Sequence, residues 1–115
     1  MIEESDVRAF GPKLLMPSGK VVYLDYGVEA LLDFGDFVVV SLDVPQDMNN
    51  PYFENVFAFN KDGTLRWRIK PVINIDGDPM GVYYNDCFRK DNFAVAHALV
   101  GADVYLNPLT GEVVK

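Results

Sequence analysis

Leu65, Trp67 and Ile69 alternate with Arg66, Arg68 and Lys70, the two-residue period of a strand with one apolar and one basic face. Phe37-Val38-Val39-Val40-Ser41-Leu42 is a short β-branched run without alternation, the pattern of a strand covered on both sides. Turn signals separate such runs. Pro17-Ser18-Gly19-Lys20, Lys61-Asp62-Gly63-Thr64 and Leu109-Thr110-Gly111-Glu112 each sit between two apolar stretches, which predicts three hairpins. A fourth is predicted from residues 81–88 and 93–99, joined by Arg89-Lys90-Asp91-Asn92. The one helical spacing, Val28-Glu29-Ala30-Leu31-Leu32, is a single turn long. Two loops interrupt the run of strands, the Pro- and amide-rich residues 45–52 and residues 71–79. The pattern predicts one all-β domain over residues 1–115, with about eight to ten strands. These form two antiparallel meander sheets, near 24–69 and 80–115, packed as a sandwich, with an N-terminal strand near 13–16.

Composition agrees with a packed domain. The 115 residues are 50% hydrophobic and 13% aromatic, which excludes a disordered chain. Unbroken apolar runs stop at about four residues, far below the ~20 that cross a bilayer as a helix. Met1-Ile2-Glu3-Glu4-Ser5-Asp6 lacks the basic and apolar regions of a signal peptide, and Cys87 has no second cysteine to bridge. A cytoplasmic protein is expected.

Charge changes the picture more. The net charge of −7 is unevenly spread. Residues 1–54 hold ten acids against Arg8, Lys13 and Lys20, whereas residues 55–115 hold seven of each sign. No basic residue lies between Lys20 and Lys61. A block of this kind repels phosphate backbones and attracts basic protein surfaces. Nucleic acid and membrane are therefore not expected as partners, and a basic protein is.

The stretch Val56-Phe57-Ala58-Phe59-Asn60-Lys61-Asp62-Gly63-Thr64-Leu65-Arg66-Trp67 resembles the repeat hairpin of quinoprotein-like (PQQ-type) β-propellers. Val104-Tyr105-Leu106-Asn107-Pro108-Leu109-Thr110-Gly111-Glu112-Val113-Val114 resembles its other form, with Val114 and Lys115 where Trp is usual. Gly19, Gly63 and Gly111 recur at intervals of roughly 45 residues, close to a blade period. Because a propeller needs about four blades to close, the resemblance implies a half-propeller or sandwich. It does not carry over the quinone or the dehydrogenase activity. The chain is also generally similar to small bacterial immunity proteins that stand beside polymorphic toxins. That likeness implies a non-catalytic monomer or homodimer that neutralises a basic, nuclease-type toxin domain. Asp33, Asp36, Asp43, Asp47 and Glu54 are expected to supply the charge, and Tyr52 and Phe53 the aromatic anchors. An assembly module that oligomerises through its sheets, and a small-molecule or sugar binder using Trp67 and the tyrosines, remain alternatives.

Catalytic chemistry finds little footing. His97 is the single histidine, expected on the strand face of Phe93, Val95 and Leu99, and Cys87 reads as a buried structural thiol. Asn74-Ile75-Asp76-Gly77-Asp78 has the wrong ligand order for a calcium loop and reads as an Asx turn. No enzyme activity, metal or cofactor is expected.

Overall fold

The computed structural model describes residues 1–45, 49, 51–99 and 101–114. Strands β1 (Arg8–Phe10), β2 (Lys13–Leu15) and β3 (Val21–Tyr23) form one sheet. A central sheet follows from β4 (Gly27–Asp33), β5 (Phe37–Asp43), β6 (Val56–Asn60) and β7 (Leu65–Arg68). A short ladder of β8 (Val72–Ile73) and β9 (Pro79–Met80) leads to a third layer of β10 (Tyr84–Lys90), β11 (Phe93–Ala98) and β12 (Asp103–Leu106). Neighbouring strands are antiparallel throughout, in chain order.

The two expected meanders are present as the four-stranded β4–β7 and the three-stranded β10–β12; the Gly19 and Gly63 hairpins form, the fourth turns at Asp91, and the Gly111 turn closes only on a single Leu106–Val113 bridge. Three differences have physical causes. The N-terminal strand is a whole three-stranded sheet, whose three-residue strands are too short to announce a period. Residues 28–32 are strand rather than helical turn. A bulge between Val28 and Ala30 breaks the alternation, and Ala30, Leu31 and Leu32 are all buried because both faces are covered. The basic stripe of β7 is broken by a second bulge, opposite Ala58 and Phe59. Leu65 is left exposed, while Arg66 covers Phe37 and Arg68 covers Phe57.

Burial on both faces makes β5 the middle of three layers. Phe37 and Val39 join Ala58 and Trp67 of the same sheet face, packed on Tyr84, Cys87 and Leu106 of the third layer. Val38, Val40, Leu31 and Phe59 point the other way, onto Val7, Leu14 and Met16. At the far edge of the first cluster the Trp67 indole donates to the Pro108 carbonyl (2.8 Å). Its ring lies so close to Gly111 that a Cβ there would come within 2.4 Å of it, and Gly111 also takes a positive φ of 75°.

One polar side chain is wholly enclosed where the layers meet. Asn55 donates from its amide to the carbonyls of Leu42 (2.8 Å) and Tyr84 (2.6 Å), and accepts from the Tyr84 N–H (2.9 Å). It therefore does for β10 what a neighbouring strand would do, and ties the third layer to the end of β5. Asn55→Ala strands three backbone groups, each costing about 1–3 kcal/mol when buried. Destabilisation of about 3 kcal/mol or more is expected in urea unfolding followed by Trp67 fluorescence. Ser41 is as deeply buried but its hydroxyl has no partner among the described residues, so Ser41→Ala is expected to be neutral or stabilising in the same assay.

Candidate partner-binding surface

Antiparallel pairing decides which acids can act together. β5 spans seven residues, roughly 20 Å from end to end. Asp33 and Asp36 lie at one end of the central sheet, at the β4–β5 turn, while Asp43 lies at the other, paired with Gly27. The sequence candidates thus fall into two groups. Asp47 lies outside the described residues.

The Asp33 end is a clasp that consumes its own charge. Arg89 forms a two-pronged pair with Glu3 (3.0 and 2.8 Å), donates to the Asp33 carbonyl and covers the Phe34 ring. Lys61 bridges Asp6 (2.7 Å) and the Asp33 carboxylate (3.1 Å), which also accepts from the Ser5 hydroxyl and the Gly35 N–H. The Arg89 hydrogen bond holds Glu3 below its ordinary value of 4.5. Burial alone would raise Asp33, but the hydrogen bonds from Ser5, Gly35 and Lys61 outweigh it and hold the carboxyl below 3.8. Asp36 remains exposed beside this network.

The Asp43 end gathers acids that few cations meet. Tyr52 donates to Asp25 (2.8 Å) and stands edge-on to Tyr26, so residues far apart in sequence share one patch with Asp43. Burial, then the Asp25 bond, pushes the Tyr52 hydroxyl up to about 12. Glu29 is raised by burial and by the nearby charges of Asp43 and Asp86. Burial also raises Glu54, against the pull of Arg68. The loop itself is fixed: Arg68 donates to the Phe53 and Glu54 carbonyls (both 2.9 Å), and the Glu54 N–H bonds the Val82 carbonyl (2.9 Å). Phe53 rests on Gly81, where a Cβ would come within 2.3 Å of the ring, yet keeps 39% of its surface exposed.

This surface includes Asp25, Tyr26, Glu29 and Asp86, none of them among the site candidates, although Asp25 and Glu29 belong to the acidic block. The Asp25–Tyr26 pair was visible as a polar-aromatic step before β4, but only the pairing register places it beside Tyr52 and Asp43. The tryptophan reading fares differently. Trp67 is 8% exposed and its N–H is occupied, so it offers no platform to a sugar.

The groups suited to chemistry are placed for packing. Burial and then Asp86 push the Cys87 thiol up to about 12, leaving no thiolate near neutrality. His97 sits half-buried opposite Asp103 on β12, its Nδ1 2.6 Å from the carboxylate. Asn74 accepts from the Asp76 and Asp78 N–H groups, the Asx geometry expected there. Among the described residues no three His, Cys, Asp or Glu side chains are grouped to hold a metal ion. No helix among them is long and apolar enough to cross a membrane.

The model of a family described as Domain of unknown function (DUF7957) matches residues 5–115. The chain belongs to that family. No curated protein and no solved structure matches it. In this DUF7957 chain the family match takes in all three layers and both ends of the central sheet.

The two ends have opposite pH signatures. Glu3 and Asp33, held low in the fold, contribute stability that is present above their ordinary values and lost as pH falls through the folded ones. Urea unfolding from pH 7 to 3 should show this loss below pH 4.5. Glu3→Gln should flatten it and cost about 1 kcal/mol at neutral pH. Glu29 is held high, so Glu29→Gln should instead stabilise at pH 7.

Proposed function

We propose that this protein is a non-catalytic binding protein of the cytoplasm that neutralises a basic, nuclease-type toxin domain. The docking surface is the Asp43 end of the central sheet. One observation carries the reading. Asp25, Glu29, Asp43 and Asp86 converge there, with Glu29 raised by burial and then by Asp43 and Asp86, while Arg68 is spent on holding the loop of Tyr52, Phe53 and Glu54. Like charges held together cost folding stability, and a cationic partner repays that cost on binding.

The mechanism requires only occlusion. Acids speed the encounter with a basic surface, and a preorganised aromatic loop supplies the desolvated contact. Tyr52 and Phe53 meet this need because their loop is fixed before binding, which spares ordering entropy. The Asp33 end is unsuited to the role, since Lys61 and Arg89 already neutralise it.

The test is a pull-down with this chain as bait in lysate of its own strain, washed at low and then high salt. The neighbouring gene product is co-expressed as candidate prey. The expected result is one basic polypeptide, retained near stoichiometrically, whose nuclease or growth-arresting activity is abolished by the bait. Asp43→Lys with Glu54→Lys should slow its association about tenfold and flatten the salt dependence. Asp36→Lys, at the opposite end, should change the rate far less. Retention of no basic polypeptide, or equal loss from both variants, would overturn this reading.

A further inference from the structure

The acidic surplus has one exception. Arg8, Lys13 and Lys20, the three bases of residues 1–54, all lie in the β1–β3 sheet or its turn. Pairing aligns Ala9, Leu14 and Val22 on the inner face, against the second core cluster. The outer face carries two cross-strand rows, Arg8–Leu15–Val21 and Phe10–Lys13–Tyr23. It is strongly exposed: Phe10 by 56%, Tyr23 by 74% and Val21 by 37%. Phe10 and Tyr23 stand on either side of Lys13, about two strand spacings or roughly 9.6 Å apart. Lys13 leans over the Tyr23 ring at 5.6 Å. This is an exposed aromatic patch with a cation at its centre, on a protein of net charge −7.

The complementary shape sits elsewhere on the same chain. Between buried Ile69 and core-packed Val82 the chain leaves the core as an arm built on β8 and β9. Ile73 is 60% exposed and lies opposite Pro79, and Ile75, two residues on at the tip, is fully exposed. Asn74 fixes the tip by accepting two backbone N–H groups, and Gly77 closes it onto the Asn74 carbonyl (3.0 Å). Asp76 and Asp78 follow Ile75 in the same turn, both exposed. Turn tips favour polar residues that water can reach. A turn-fixed tip with a bare isoleucine and two exposed carboxylates following it suits an apolar patch that carries cations.

We infer that the arm of one copy docks on the β1–β3 outer face of a second copy, with Ile75 against the exposed Phe10 and Tyr23 rings. Asp76 and Asp78 then lie toward Arg8 and Lys13. The arm grows from the side of the central sheet that carries the third layer, whereas the patch is on the outside of the N-terminal layer, so the contact joins two chains. Charge selects the occupant. Within residues 1–54 the bases lie in this sheet or its turn alone, beside exposed aromatic rings, which is where an acidic arm with an apolar tip is attracted. Reciprocal exchange closes a two-fold dimer, whereas a one-way contact propagates from copy to copy. This inference does not depend on the toxin reading, because it uses neither Asp43 nor the Tyr52 loop.

Sedimentation equilibrium of the full chain from micromolar to near-millimolar concentration, at low and high salt, tests it. The wild-type mass should rise with concentration toward two copies or beyond, less steeply in high salt. Ile75→Asp and Tyr23→Asp, both at exposed positions, should keep native circular dichroism and weaken association about tenfold or more. An equimolar mixture of the two variants should regain association, since each supplies the half that the other lacks. A wild type that stays monomeric throughout overturns the inference. So does association that both substitutions leave unchanged, or a mixture no better than either variant alone.

Discussion

The central sheet and the third layer meet at the carboxamide of Asn55, which fixes how the two are joined at that end of the molecule. A sheet cannot hydrogen-bond to the sheet stacked on its face, because backbone donors and acceptors lie in the plane of each sheet. Asn55 solves this with a side chain that has both a donor and an acceptor. It reaches from the start of β6 to both polar groups of Tyr84 and to the last turn-facing carbonyl of β5. The neighbouring Glu54 is in turn forced into a left-handed backbone with φ of 51°, and its N–H meets Val82. The aromatic loop, the Arg68 clamp and the root of the arm are all downstream of this one amide.

The central sheet then gives its two ends different electrostatic fates. At the Asp33 end, cations from β6–β7 and β10 are brought in to meet Glu3, Asp6 and Asp33, and the N-terminal segment is fastened down. At the Asp43 end the acids are less fully met, by the Met1 ammonium beside Glu29 and by Arg68 near Glu54. A single run of like-charged residues in the sequence becomes half structural fastening and half reactive surface, because a strand of seven residues separates the halves.

Much of the fold was legible because it rested on local chemistry. Lys61-Asp62-Gly63-Thr64 forms its turn through Asp62 and a positive-φ glycine, and the β-branched run of β5 is buried on both faces. The pattern is least clear where register overrides composition. A bulge at Glu29 gives β4 a helical spacing within an all-β chain, and a bulge in β7 splits Arg66 from Arg68. The candidate surface was half legible for the same reason. Tyr52, Phe53 and Glu54 stood out as aromatics in an acidic loop. The company of Asp25, Tyr26, Glu29 and Asp86 is created only by pairing between distant segments, which no spacing along the chain encodes.

Shared use of the central sheet has a consequence for how the chain is made. Its first face is covered by residues that emerge from the ribosome before it, but its second face waits for β10–β12. Until they arrive, Leu32, Val39, Ala58 and Trp67 form an open apolar wall. A nascent chain halted near residue 80 would present that wall, together with the unpaired edge of β7, to every other such chain in the cell. Burial of the second face of the central sheet therefore depends on the C-terminal third of the chain.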